Sequence, residues 1–187
     1  MNQPQRRTVL KGAALGALAF TVGGETMLLT PSEALAQGAA PRTLKPEEVE
    51  TIEALGEALV PDAKRSGIAL FIDHHLSVPH EECLLEARIM NVRPPYANFY
   101  RAACGAVERA VGARHTGKRF AQLTADESRA FVDDMRQNKI DGWQGPPGGF
   151  IYFLLRSDAV DVVYGTMEGY EKLGIPYMPH IAPQKKW

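Results

Sequence analysis

Between Phe150 and Tyr164 the chain is apolar on nearly every side, with Arg156, Asp158 and Asp161 as its only charges. A run that long outlasts an ordinary strand, and a helix apolar all round must lie between neighbours. The spacing therefore predicts a central helix, and the rest of the chain must supply the faces that cover it.

Other segments carry such faces. Pro46 can open a helix at its first turn, Glu47 and Glu48 suit the positive end of its dipole, and Val49, Ile52, Leu55 and Leu59 form one stripe that stops before Pro61. A helix over 46–59 follows. Ile68, Phe71, Ile72 and Leu76 predict a shorter one ending near Pro79. The stretch from His80 to Arg93 is ambiguous, and Pro94-Pro95 punctuates it. Tyr96, Phe99, Tyr100, Ala103, Val107, Ala110 and Val111 keep helical spacing throughout. Thr124 and Glu127 make a capping box ahead of a helix whose buried face is Phe131, Val132 and Met135.

Gly142 to Gly149 is a loop, and its Gly-Pro-Pro-Gly-Gly run at 145–149 is a stiff turn rather than a phosphate cradle, because proline lacks the amide donor. No run sustains strand alternation, so the expected class is all-α: a small irregular domain of about five helices. Beyond Gly165, Gly169, Gly174, Pro176, Pro179 and Pro183 predict a non-helical C-terminal segment. Its Met and aromatic side chains argue against a solvated tail.

With 187 residues, 45% of them hydrophobic, and a formal net charge of −1, the chain has the proportions of one soluble globular domain. No basic stripe with interleaved aromatics is present, which argues against a nucleic-acid partner.

The first 36 residues read as an address. Arg6 and Arg7 precede Leu10, Lys11 and an uncharged, glycine-broken run, and Ala34 and Ala36 supply the small residues that a signal peptidase accepts, with Gln37 as the expected first mature residue. The run resembles a twin-arginine export signal, a route known for folded cargo. A short uncleaved anchor is the alternative. The expected division is thus a leader over 1–36 and one domain over 37–187, with 37–42 as a flexible lead-in.

Chemistry is sparse. His74, His75, His80, Glu81 and Glu82 are the most suggestive metal-ligand group, the basis of an alternative reading as a stand-alone metal-dependent enzyme. Yet no paired Glu-x-x-His motif occurs, and adjacent histidines on a helix point about 100° apart. Cys83 and Cys104 can bond to each other, closing a loop worth about 3 kcal/mol, or to another subunit, or Cys104 can remain a buried thiol. Dinucleotide, phosphate-loop and covalent-haem fingerprints are all missing.

Three stretches resemble one family. Glu53 to Pro61 leads to Gly67-Ile-Ala-Leu-Phe-Ile-Asp73; Tyr100 to Arg109 leads to Arg119-Phe-Ala-Gln-Leu-Thr-Ala-Asp-Glu127; and Phe150 to Asp158 leads through Tyr164-Gly165-Thr166 to Leu173-Gly-Ile-Pro176. Their order is similar to that of the small-subunit family typified by subunit three of gluconate 2-dehydrogenase. The family's commoner Gly-Gly-Asn and Gly-Trp ending is replaced here by Gly165 to Tyr170 and Ile175 to His180.

The resemblance implies a non-catalytic small subunit of a periplasmic dehydrogenase for sugars, sugar acids or other alcohols, with no cofactor in this chain. FAD would sit in a large partner of the glucose-methanol-choline type, exported bound to the small subunit. Haem c would belong to a cytochrome subunit at the membrane. Docking onto the flavoprotein is expected through the C-terminal segment, with Tyr170, Tyr177, Met178, His180 and Trp187 as anchors. Folding of that segment over its own helices is the alternative, and a further reading of the whole chain is a free chaperone that releases its client after export.

Overall fold

The computed structural model describes residues 17–176. It begins with an antiparallel hairpin, β1 (Leu18–Val22) and β2 (Glu25–Leu29), paired in the register Leu18↔Leu29 and Phe20↔Met27. Gly23 and Gly24 turn it with φ of 58° and 88°, the doubly left-handed turn whose twist matches paired strands. Helix α1 (Pro31–Ala36) follows at once, started by a capping box between Thr30 and Glu33.

Six further helices build the main body: α2 (Pro46–Leu59), α3 (Ile68–Leu76), the single turn α4 (Glu86–Ile89), α5 (Tyr96–Arg114), α6 (Ala125–Arg136) and α7 (Gly148–Tyr164). Helix α8 (Met167–Lys172) closes the described chain. Short 3-10 turns stand at His80–Glu82 and Phe120–Gln122.

The all-α expectation holds for this body, and α7 is central as its all-round apolarity requires: α2, α3, α4, α6 and α8 all pack against it. Its buried side chains Ile151, Leu154, Leu155 and Ala159 meet Ile52 and Leu55 of α2, Phe131 and Met135 of α6 and Val107 of α5 in one core. Each of the larger of these side chains contributes roughly 1.5–3 kcal/mol when fully buried. Helix α6 comes so close to the start of α7 that a Cβ on Gly148 would stand 2.7 Å from the Met135 carbonyl oxygen.

The described residues form eight helices where about five are expected, α7 starts at Gly148 inside the expected loop, and three further stretches differ. Strands occur in the stretch assigned to the leader. The lead-in is held at its end, because the buried Asp73 carboxylate accepts the amides of Arg42 (2.7 Å), Thr43 (2.8 Å) and Leu44 (2.8 Å). The segment after Gly165 contains α8, since its first proline comes only at Pro176 and the Thr166 hydroxyl caps the Gly169 amide.

Candidate functional site

Helix α7 carries a carboxylate in its buried face, and the groups around it organise the most exposed apolar part of the body. Asp158 is fully buried and accepts a 2.6 Å hydrogen bond from the Tyr100 hydroxyl of α5 and a 3.0 Å bond from the Glu86 amide at the start of α4. Burial pushes its pKa up to about 7, against the lowering effect of those two donors. The same burial, with the carboxyl beside it, holds the Tyr100 phenol well above its ordinary range.

Asp158 thus satisfies an amide that a helix start leaves without an intrahelical partner, and it fixes α4 to the core. Arg88 adds a 2.9 Å bond to the Cys83 carbonyl. Held this way, the 83–90 segment buries Cys83, Leu85 and Ala87 and turns Leu84 (56% exposed), Ile89 (59%) and Met90 outward. Phe153 of α7 is also exposed. Exposed large apolar side chains are what a partner can cover.

The histidine group is not brought to one point. His75 is buried; its Nδ1 lies 3.4 Å from the Leu84 amide, its ring meets Phe71 edge-on at 4.7 Å, and burial depresses its pKa to about 4. His74 turns instead toward Phe20 of the hairpin, at 5.6 Å, and burial lowers its pKa as well. His80 Nδ1 pairs with the Tyr96 hydroxyl at 2.7 Å, while Glu81 and Glu82 face outward. Among the described residues no three His, Cys, Asp or Glu side chains are grouped so as to hold a metal ion.

Cys83 and Cys104 are both free, so the bond between them considered from the sequence is not made. Cys104 turns its thiol toward the Glu48 carbonyl at 3.9 Å, while Cys83 lies toward Arg88 and Asp158. Burial raises both thiols, that of Cys104 to about 12, so neither is a ready nucleophile. A groove of about 340 Å³ passes over Cys104, where Glu48 pairs with Arg101 at 3.5 Å and Glu108 with Arg119 at 3.6 Å, while Glu47 adds a third carboxylate to the lining.

Of the anchors named from sequence, Tyr170 stands half-buried on α8, near the exposed Met167, Leu173 and Ile175 in sequence. Tyr177, Met178, His180 and Trp187 lie outside the described residues, as do Arg6, Arg7, Leu10 and Lys11. Ala34 is buried within α1 and Ala36 is exposed at its end. No helix among the described residues is long and apolar enough to cross a membrane.

Sequence reasoning missed the Asp158–Tyr100 pair and the outward side chains of 84–90. An aspartate inside an otherwise apolar helix face was the available signal for the first.

Comparison with known proteins adds one match: the family model described as Gluconate 2-dehydrogenase subunit 3 covers residues 46–181. No curated protein and no solved structure matches the chain.

Proposed function

The chain belongs to the gluconate 2-dehydrogenase subunit 3 family, and from that membership we propose that it is the non-catalytic small subunit of an FAD-dependent dehydrogenase of the glucose-methanol-choline type. The partner oxidises a sugar, sugar acid or other alcohol. This chain contributes export, folding and stability, and it carries no cofactor of its own. The twin-arginine pattern at Arg6 and Arg7 supports a periplasmic location for the assembly, and haem c in a third subunit would pass the electrons toward the membrane.

The observation that carries this reading is the family match across 46–181. Exposed Leu84, Ile89, Met90 and Phe153 support it, because they give a partner something to cover. The Glu48–Arg101 and Glu108–Arg119 ion pairs and the buried thiols agree with a scaffold whose polar groups serve the fold.

Purification of the tagged chain from cells tests the proposal. A larger subunit with a flavin absorption spectrum is expected to accompany it, and alcohol oxidation is expected to follow that subunit. Turnover of an alcohol by the isolated small chain overturns the reading.

A further inference from the structure

The family match starts at residue 46, yet the fold starts earlier. Phe20, Leu29 and Ala34 are buried with Leu70 of α3 in a second apolar cluster, which the hairpin and α1 build on one side of the body. Phe20 also meets the His74 ring, and Arg42 donates a hydrogen bond to the Thr21 hydroxyl. At the start of α3, Gly67 has φ of +81°, and a Cβ there would lie 2.5 Å from the Pro31 carbonyl oxygen. The main body is therefore shaped to receive α1. Ser32 on the other side of α1 shares the wall of a cavity of about 60 Å³ with Val162, Val163 and Thr166, so the segment also reaches the α7–α8 junction.

The peptide bond between Ala36 and Gln37 is poorly placed for a peptidase. A protease reads an extended, accessible strand, but here Ala34 is in a helix with its side chain fully buried. The turn that follows is closed by hydrogen bonds from the Gln37 amide to Glu33 O (3.0 Å), from Gly38 to Leu35 O (3.1 Å) and from Ala39 to Ala34 O (2.9 Å).

We infer that residues 18–36 are a permanent part of the working subunit, and that any removal of the leader cuts N-terminal to Leu18 rather than after Ala36. The inference rests on the export reading for its setting, since a precursor that travels folded reaches the peptidase with this segment already docked. The hairpin and α1 then act as a clasp over α3, with the export signal leading directly into it.

The N-terminus of the tagged chain purified from a periplasmic extract, read by intact mass, tests this. A chain beginning at or before Leu18 is expected; one beginning at Gln37 overturns the inference and leaves export standing. A second measurement does not depend on compartment. In the purified full chain, Phe20→Ala on the docked face should lower Tm by about 5 °C or more, while Leu28→Ala on the exposed face should shift it by about 1 °C or less. Equal shifts, or none, overturn the inference. A chain confined to the cytoplasm overturns the export reading instead, and the two melting shifts then decide the matter of the clasp.

Discussion

The Tyr100 hydroxyl of α5 donates a 2.6 Å hydrogen bond to the Asp158 carboxylate of α7 inside the core. Through the Glu86 amide, the same carboxylate also holds the first turn of α4. One ionisable group thus joins the central helix to the segment that presents Leu84, Ile89 and Met90.

Its titration gives the first prediction. The folded pKa is raised to about 7 by burial, whereas an unfolded aspartate titrates near 3.9. Between those values the folded state holds a proton that the unfolded state has lost, so this group makes stability fall as pH rises from about 4 to 7. Asp158→Asn keeps a carbonyl oxygen for the Glu86 amide and cannot ionise. Denaturant melts should show the variant close to the parent near pH 4.5 and gaining on it up to pH 8, by on the order of 2–4 kcal/mol. A parallel pair of pH profiles contradicts the assignment.

His75 has the opposite sign. Burial depresses its pKa to about 4, below the unfolded value of about 6.5. The stability it preserves is complete above about pH 6.5 and is lost as the pH falls from there toward 4, because the unfolded state takes up the proton first. In an NMR titration its ring resonances should stay put from pH 8 to about 5.5. A midpoint near 6.5 means that the ring is solvated.

The two thiols make a counting prediction. Cys83 and Cys104 are free and buried, with raised pKa values. A thiol reagent should find essentially none accessible in the native chain at pH 7.5 and both after denaturation without reductant. No thiol after denaturation would show that the cysteines are joined by a disulfide, to each other or to another chain.

Legibility from sequence followed how local each signal was. Helix α2 was read at both ends because Pro46 and Pro61 bracket its stripe, and α6 because Thr124 and Glu127 announce its start within one turn. The hairpin is hidden in the sequence because Gly23 and Gly24 also fit a glycine-broken apolar leader. The same two glycines separate two runs of equal length and are the turn that strands require. The Asp158–Tyr100 bond joins residues 58 apart in the chain, so no window of sequence contains it. Whether Leu84 or Leu85 faces water depends on how Glu86 is anchored, again a long-range matter.

The export reading makes a prediction of its own. If Arg6 and Arg7 form a twin-arginine signal, a double Arg6→Lys, Arg7→Lys change keeps the charge but loses the planar guanidinium fork. Periplasmic recovery of the chain, and of any flavoprotein travelling with it, should drop about tenfold or more, while total expression stays level. Undiminished periplasmic recovery sinks the signal assignment.

The final prediction concerns the surface that α4 presents. Ile89 and Met90 are exposed at the end of a helical turn whose start is tied to Asp158, so changing them should leave the core intact. Met90→Glu and Ile89→Glu place a charge where a partner would need to desolvate it, at a cost of several kcal/mol if no counter-charge is present. Association with the proposed flavoprotein partner should weaken by about 10²-fold or more for the pair of changes, with the stability of the free chain changing by only about 0.5 kcal/mol or less. Trimming residues 177–187 offers the comparison: if that deletion abolishes association while the glutamates do nothing, docking runs through the C-terminal anchors and not through α4. If both weaken it, the partner covers the two regions together, and their effects should add for sites that do not touch.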